Sequence, residues 1–233
     1  MKIYYRISNN SYKKNRLAFA TKEFCLNNFL NQFNINGNYI TIVADNVTEE
    51  KLLSFINSKK TDSIKIEYTQ LNNAQSFKYI VSKSCDECND DDYIYYAEDD
   101  YLHWHNSDNL IKEGLQISNY VTLYDHPDKY IDKSDGGNPF IEGGGEITRL
   151  VKTNSIHWKL TNSTTLTFAT TGRTIKKDKD IWFKYLQNSY PRDFDAFCDL
   201  IENNNRSLIS CVPGNSTHTE IPWICPFKDW NNI

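Results

Sequence analysis

The segment Tyr93-Ile94-Tyr95-Tyr96-Ala97-Glu98-Asp99-Asp100 decides the fold of this chain. Five apolar or aromatic residues in a row suit a strand buried on both faces, and such strands belong to parallel sheets covered by helices. Three carboxylates follow, where the strand would leave the core. Working back toward the start, strand-like segments recur. Ile64-Lys65-Ile66-Glu67-Tyr68 alternates as a half-buried strand, Tyr39-Ile40-Thr41-Ile42-Val43 is a β-rich run ending at Ala44-Asp45, and residues 2–7 are rich in Tyr and Ile. Between them lie helical patterns. Thr21 is placed to cap a helix with Leu26, Phe29, Leu30 and Phe33 on one face. Thr48, followed by Glu49 and Glu50, opens a helix carrying Leu52, Leu53 and Ile56, with acids at the positive end of the dipole. Residues 74–81 form a third. The resulting βαβαβαβ order predicts an α/β fold whose central sheet is mostly parallel and flanked by helices.

The second half is less regular. Residues 121–124 predict a strand and 135–145 (DGGNPFIEGGG) a mobile loop. Two Thr/Ile-rich stretches, 146–153 and 164–169, follow, with helices over 180–186 and 193–201 and an irregular tail after Pro213 anchored by Trp223 and Trp230. With no repeat and no low-complexity linker, residues 1–233 read as a single domain.

Composition bounds what the chain does. A hydrophobic share of 39%, with 12 Phe, 15 Tyr and 5 Trp, supplies a core that a disordered chain lacks. Mean hydropathy of -0.64 and the lack of any long apolar run exclude a membrane span. The balance of 26 Lys+Arg against 30 Asp+Glu gives a net charge of -4, without the basic stripe that neutralises phosphates, so no nucleic-acid partner is expected. The start, Met1-Lys2-Ile3-Tyr4-Tyr5-Arg6, is not a signal peptide. A cytoplasmic location follows as the expectation, with the six cysteines as reduced thiols.

In an open α/β sheet, ligands bind beyond the carboxyl ends of the strands. Arg6 follows the first strand, Asp45 the second, and Glu98-Asp99-Asp100 the fourth. Three adjacent acids repel one another unless a cation joins them. Hard carboxylate oxygens select Mg²⁺ or Mn²⁺, ions that commonly sit between one or two carboxylates and substrate phosphates. A solvated acidic turn is the competing reading of the same triplet.

Tyr95-Tyr96-Ala97-Glu98-Asp99-Asp100-Tyr101 resembles the DXD-type motif of GT-A-fold, nucleotide-sugar-dependent glycosyltransferases, with Glu in place of the first Asp. Val212-Pro213-Gly214-Asn215-Ser216-Thr217-His218-Thr219-Glu220 is similar to a PG-x-STH-x-E signature of small GT-A-like transferases of bacteria and large DNA viruses. Trp158 with Ser163 to Ala169 (STTLTFA) resembles a second block of the same group. The resemblance implies that Asp100 ligates Mn²⁺ or Mg²⁺, that His218 completes the site, and that Glu98 meets the ribose or the metal through water. It also implies that Asp99 belongs to the nucleotide site, that Asp45 sits beside the nucleobase, and that Arg6 and the segment from Asn73 to Ser76 line the cleft. Residues 1–105 would then hold the nucleotide-sugar donor, UDP- or GDP-linked. Residues 106–233 would hold the catalytic side and a glycan or glycoprotein acceptor.

An inverting transferase needs one carboxylate as general base for the acceptor hydroxyl. Asp178 is the first candidate and Asp180 the second, both just before Ile181-Trp182-Phe183, and either is equally suited to be a helix cap. Glu146, after Gly143-Gly144-Gly145, is a third; if none of the three is the base, a retaining mechanism gains ground. Other signals carry less. Cys85-x-x-Cys88 and His103-x-His105 suggest zinc, but the strand between them carries the two pairs to opposite sheet edges. The glycine triplet lacks the following Lys-Ser/Thr of a P-loop and suits a lid hinge. A nucleotidyltransferase, or a carbohydrate-binding or capsid-associated module with a structural cation, are the rival functions.

Overall fold

The computed structural model describes residues 1–9, 14–33 and 37–233. Its first half alternates as the hydrophobic pattern predicts: β1 (Lys2–Ser8), α1 (Lys22–Phe33), β2 (Tyr39–Asp45), α2 (Glu50–Asn57), β3 (Ile64–Thr69), α3 (Asn73–Glu87) and β4 (Tyr93–Glu98). The second half adds β5 (Tyr101–His103), α4 (Ser107–Gly114), β6 (Tyr120–Thr122), β7 (Leu150–Lys152), β8 (His157–Leu160), β9 (Phe168–Thr171), α5 (Gly172–Tyr185), α6 (Asp193–Asn204), β10 (Leu208–Val212) and β11 (Ser216–His218). Among the described residues nine strands form one sheet, ordered β3-β2-β1-β4-β9-β6-β10-β8-β7, while β5 pairs with β11 apart from it. The sheet runs through both halves of the sequence and makes one α/β domain.

Strand direction sets where chemistry can occur. β1 is parallel to β2 and β4. β9 is antiparallel to both β4 and β6, so β6 runs with β4, and β10 is parallel to β6. The ends of β1, β2, β4, β6 and β10 therefore share one carboxyl edge. The pleat sorts the core onto the two faces. Ile3, Tyr5, Ile7, Tyr95 and Ala97 pack with Phe29 and Phe33 of α1 and Ile56 of α2. Tyr4, Ile94 and Tyr96 pack with Phe77 of α3, Trp182 of α5 and Phe197 of α6.

Several local expectations change. Thr48 does not cap α2; the flanking residue is Glu49, without a side-chain cap, and Asn9 Oδ1 accepts from the amides of Thr48 and Glu49 at 3.0 and 3.4 Å. The helix expected over 180–186 begins at Gly172, with the Thr171 hydroxyl accepting from the Thr174 amide. Gly172 is a site of close approach, since a Cβ there would stand 2.0 Å from the Asn89 carbonyl oxygen. Asp178 and Asp180 thus lie inside a helix and not at its cap. The tail expected to be irregular contains β11. No helix among the described residues is long and apolar enough to cross a membrane.

Candidate active site

A cleft of about 540 Å³ opens at the carboxyl edge, between the ends of β1, β2 and β4 and the start of α3. Arg6, Asp45, Asn73, Ser76, Glu98, Asp99 and Asp100, far apart in the sequence, all line it. Its size falls within the range of small-molecule sites.

Arg6 and Glu98 are register partners on β1 and β4, which places their side chains together at the mouth of the sheet. Arg6 Nε donates to Glu98 Oε1 and Nη2 to Oε2, both at 2.8 Å. The other hydrogens reach the Asn73 carbonyl and the Ser76 hydroxyl, each at 2.6 Å, and Asn73 Oδ1 at 2.9 Å. The five donors of a guanidinium are thereby engaged by protein acceptors. Arg6 fastens β1, β4 and α3 together and sets the cleft wall; it has no donor left for a ligand. Burial pushes the Glu98 carboxyl upward in pKa, and Arg6 pulls against that shift.

The mutual repulsion of the acidic triplet is offset within the protein. Each acid has its own protein cation: Arg6 for Glu98, Lys22 for Asp99 and Arg16 for Asp100, the last at 2.9 Å. Asp99 Oδ2 also accepts from the Ser8 amide at 2.8 Å. The antiparallel pair β5–β11 then brings the distal STH block to the triplet, with His218 opposite Tyr101. His218 Nε2 lies 3.3 Å from Asp100 Oδ2. Burial works against the Asp100 charge, but His218 and Arg16 hold its carboxyl well below the usual range. On the other side of the ring, the Glu220 amide meets Nδ1 at 3.1 Å and the Glu220 carboxylate stands 4.0 Å away. The amide donates to Nδ1, which places the ring hydrogen of the neutral imidazole on Nε2, facing Asp100.

Asp45 closes the cleft from β2. Its Oδ1 accepts from the Thr69 hydroxyl and the Leu71 amide, both at 2.8 Å, and Oδ2 from Asn46 at 3.1 Å. This fixes the turn that carries Leu71, Asn72 and Asn73 into the cleft wall.

The three base candidates are not brought to this cleft. Asp178 lies inside α5, 2% exposed, where Arg206 donates to both its oxygens at 2.7 to 3.0 Å and the Tyr120 hydroxyl donates at 2.8 Å. Tyr120 begins β6 and Arg206 precedes β10, so this ion pair sits toward the amino edge, opposite the triplet. Asp180 is exposed on the same helix. Glu146 faces Lys159 at 3.2 Å and Lys129 at 3.8 Å, below the loop it was expected to follow.

Several cleft residues were not anticipated. Lys14 and Arg16 enter on a short segment bridged to Glu220, and Lys14 pairs with the Glu220 carboxylate at 2.9 Å. The buried Arg16 Nε has no hydrogen-bond partner among the described residues. The basic stretch Lys13-Lys14-Asn15-Arg16, placed soon after the first strand, was the available signal. Tyr190, 54% exposed, lines the opposite wall. Among the described residues no three His, Cys, Asp or Glu side chains are grouped to hold a metal ion by themselves. Asp100 and His218 are the side chains here that could offer a carboxylate oxygen and an imidazole nitrogen to a divalent ion.

No family model and no curated protein sequence matches the chain. Solved structures to which it is similar include the galactosyltransferase LgtC in complex with donor and acceptor sugar analogues, at 8% identity and a TM-score of 0.49 over 86% of this chain and 70% of that one. The glycosyltransferase GlyE of Streptococcus pneumoniae is 9% identical with a TM-score of 0.44, over 89% of this chain and 44% of GlyE. The 4-diphosphocytidyl-2C-methyl-D-erythritol synthase of Anaerococcus prevotii is 13% identical with a TM-score of 0.49, over 90% of this chain and 86% of that one.

Proposed function

We propose that this chain transfers a glycosyl group from a nucleoside-diphosphate sugar, UDP- or GDP-linked, to an acceptor hydroxyl of a glycan or glycoprotein. The observation that carries the proposal is the meeting of Asp100, His218 and Arg16 beside a ligand-sized cleft at the carboxyl edge of parallel strands. Lys14 and Arg16 offer positive charge where a diphosphate would lie, and Arg16 Nε is a donor without a partner among the described residues. Asp45 and Asn73 would shape the nucleoside end.

Asp100 and His218 would hold Mn²⁺ or Mg²⁺. When bound, such an ion offsets charge on the departing diphosphate. Arg16 shares the Asp100 oxygen, so it would yield that oxygen to the ion and turn its guanidinium to phosphate. Residues 1–105 supply most of this donor site, and residues 106–233 would form the acceptor side, with inversion at the transferred carbon.

Nucleoside diphosphate release from a panel of nucleotide sugars, with and without Mn²⁺, tests the proposal. Asp100→Asn should lower turnover at least about 100-fold with the fold retained. Full turnover and unchanged metal affinity in that variant would remove the metal assignment. Release of pyrophosphate in place of nucleoside diphosphate would make the chain a nucleotidyltransferase.

A further inference from the structure

A second cavity, of about 200 Å³, lies at the same sheet edge and is not used by the donor site. The segment 187–192 joins the two: Ser189 and Tyr190 line the donor cleft, while Asp193 and Phe194 line the second cavity. Another connection runs through Tyr101. Its ring stands edge-on to His218 at 5.2 Å, and its hydroxyl donates to the Thr164 carbonyl at 3.2 Å and pairs with the Thr165 hydroxyl. Thr164 and Thr165 are both wall residues of the second cavity.

The wall is built for hydroxyl groups. Thr164 is fully buried, and its hydroxyl has no hydrogen-bond partner among the described residues. Thr165 and Leu166 hold left-handed φ values of 45° and 62°, a strained conformation for side chains of this kind. That strain holds the Leu166 amide toward Asp193 Oδ2, to which it donates at 3.2 Å. Across the cavity, Asp128 Oδ2 accepts from Asn138 at 3.0 Å and from the Ser163 hydroxyl at 3.3 Å, while its Oδ1 lies 3.0 Å from His126 Nδ1 without a hydrogen-bond partner among the described residues. Asp193 accepts from main-chain amides alone among the described residues, and burial raises its carboxyl above the usual range. At the rim, Phe194 lies 6.0 Å from Phe140, which is 62% exposed. Polar groups on the wall and an exposed aromatic pair at the rim match a sugar ring, whose hydroxyls need partners and whose C–H face needs an apolar surface.

We infer that this cavity is the acceptor subsite, that it takes a sugar ring, and that Asp193 is the general base for the attacking hydroxyl. The inference rests on the transferase proposal. The acceptor oxygen bonds to the anomeric carbon of the donor, and the bond from that carbon to the diphosphate oxygen breaks. The diphosphate leaves with the electron pair, and the hydroxyl proton passes to the Asp193 carboxylate.

The test follows transfer from UDP- and GDP-sugars to methyl glycosides, beside the thermal shift given by UDP or GDP with Mn²⁺. Asp193→Asn should lose at least about 100-fold in transfer and keep the native thermal shift, because Asn still accepts from the Leu166 amide. Thr164→Val should raise the glycoside KM severalfold and leave the donor KM unchanged. Transfer within twofold of native in Asp193→Asn, or an unchanged glycoside KM in Thr164→Val, overturns the inference and leaves the transferase proposal standing. If Asp193→Asn does not fold, the Thr164→Val result decides. A native protein that neither shifts with nucleotide nor releases nucleoside diphosphate overturns both.

Discussion

Two guanidinium–carboxylate pairs lie on the same face of the sheet and have opposite surroundings. Arg6–Glu98 stands at the carboxyl edge, beside two further acids and an open cleft. Arg206–Asp178 stands toward the amino edge, capped by Tyr120 and by the Trp182 indole, which donates to the Tyr120 hydroxyl at 3.2 Å. Both are bidentate contacts of short length, and neither geometry alone distinguishes a ligand site from a structural brace. Strand direction does. At the carboxyl edge the paired acid has neighbours whose charge a ligand or ion can use; at the amino edge the pair ends in aromatic core.

The largest effect should come from Arg6→Leu. It leaves a partly buried carboxylate unpaired beside Asp99 and Asp100, and loss of about 3 kcal/mol is expected, read as a lower urea midpoint, together with loss of nucleotide binding. The sign of its pH dependence follows from Glu98, which burial already pushes up and which Arg6 no longer offsets. With the folded value above the unfolded one, the penalty is full above the folded value, fades as pH falls from the folded value toward the unfolded one, and is gone below the latter. The deficit should therefore be smaller at pH 4 than at pH 7, and an equal deficit at both would show that Glu98 is not its source. Asp178→Asn should cost about 2 kcal/mol in urea unfolding, since Arg206 is partly exposed, while turnover per folded molecule stays within twofold of native. Loss of turnover at unchanged stability would break the comparison and return Asp178 to the chemistry. The smallest effect belongs to Lys14→Ala. Its loss should weaken nucleotide binding about fivefold at low salt and less at high salt, as titration at two ionic strengths would reveal.

The half of the fold that depends on local pattern was readable. Tyr95 and Tyr96 announced a doubly buried strand, and the helices between the early strands followed from apolar spacing. Arg6, Asp45, Asn73, Ser76, Glu98, Asp99 and Asp100 were legible for the same reason, because each lies near the end of a strand or the start of a helix at one edge; Lys14 and Arg16, on an irregular segment, were not. What failed depends on distant partners. Gly172 carries no local signal of its role, which is to let the start of α5 pass the Asn89 carbonyl. Asp178 interrupts the apolar stripe of α5 because Arg206, in another element, makes a core position tolerable for a carboxylate. The left-handed backbone at Thr165 and Leu166 and the catalytic suggestion for Asp193 have no local signal; they arise from loops that meet only when the sheet closes.

The ladder between β5 and β11 has a consequence for the order in which the protein is made. Most residues that line the cleft lie before residue 105, yet His218 reaches Asp100 only when the last short strand pairs with β5. A nascent chain that has not yet reached residue 216 carries the acidic triplet without His218. On the proposed function, the pair of side chains that would hold the ion is completed only with the pairing of Ser216–His218.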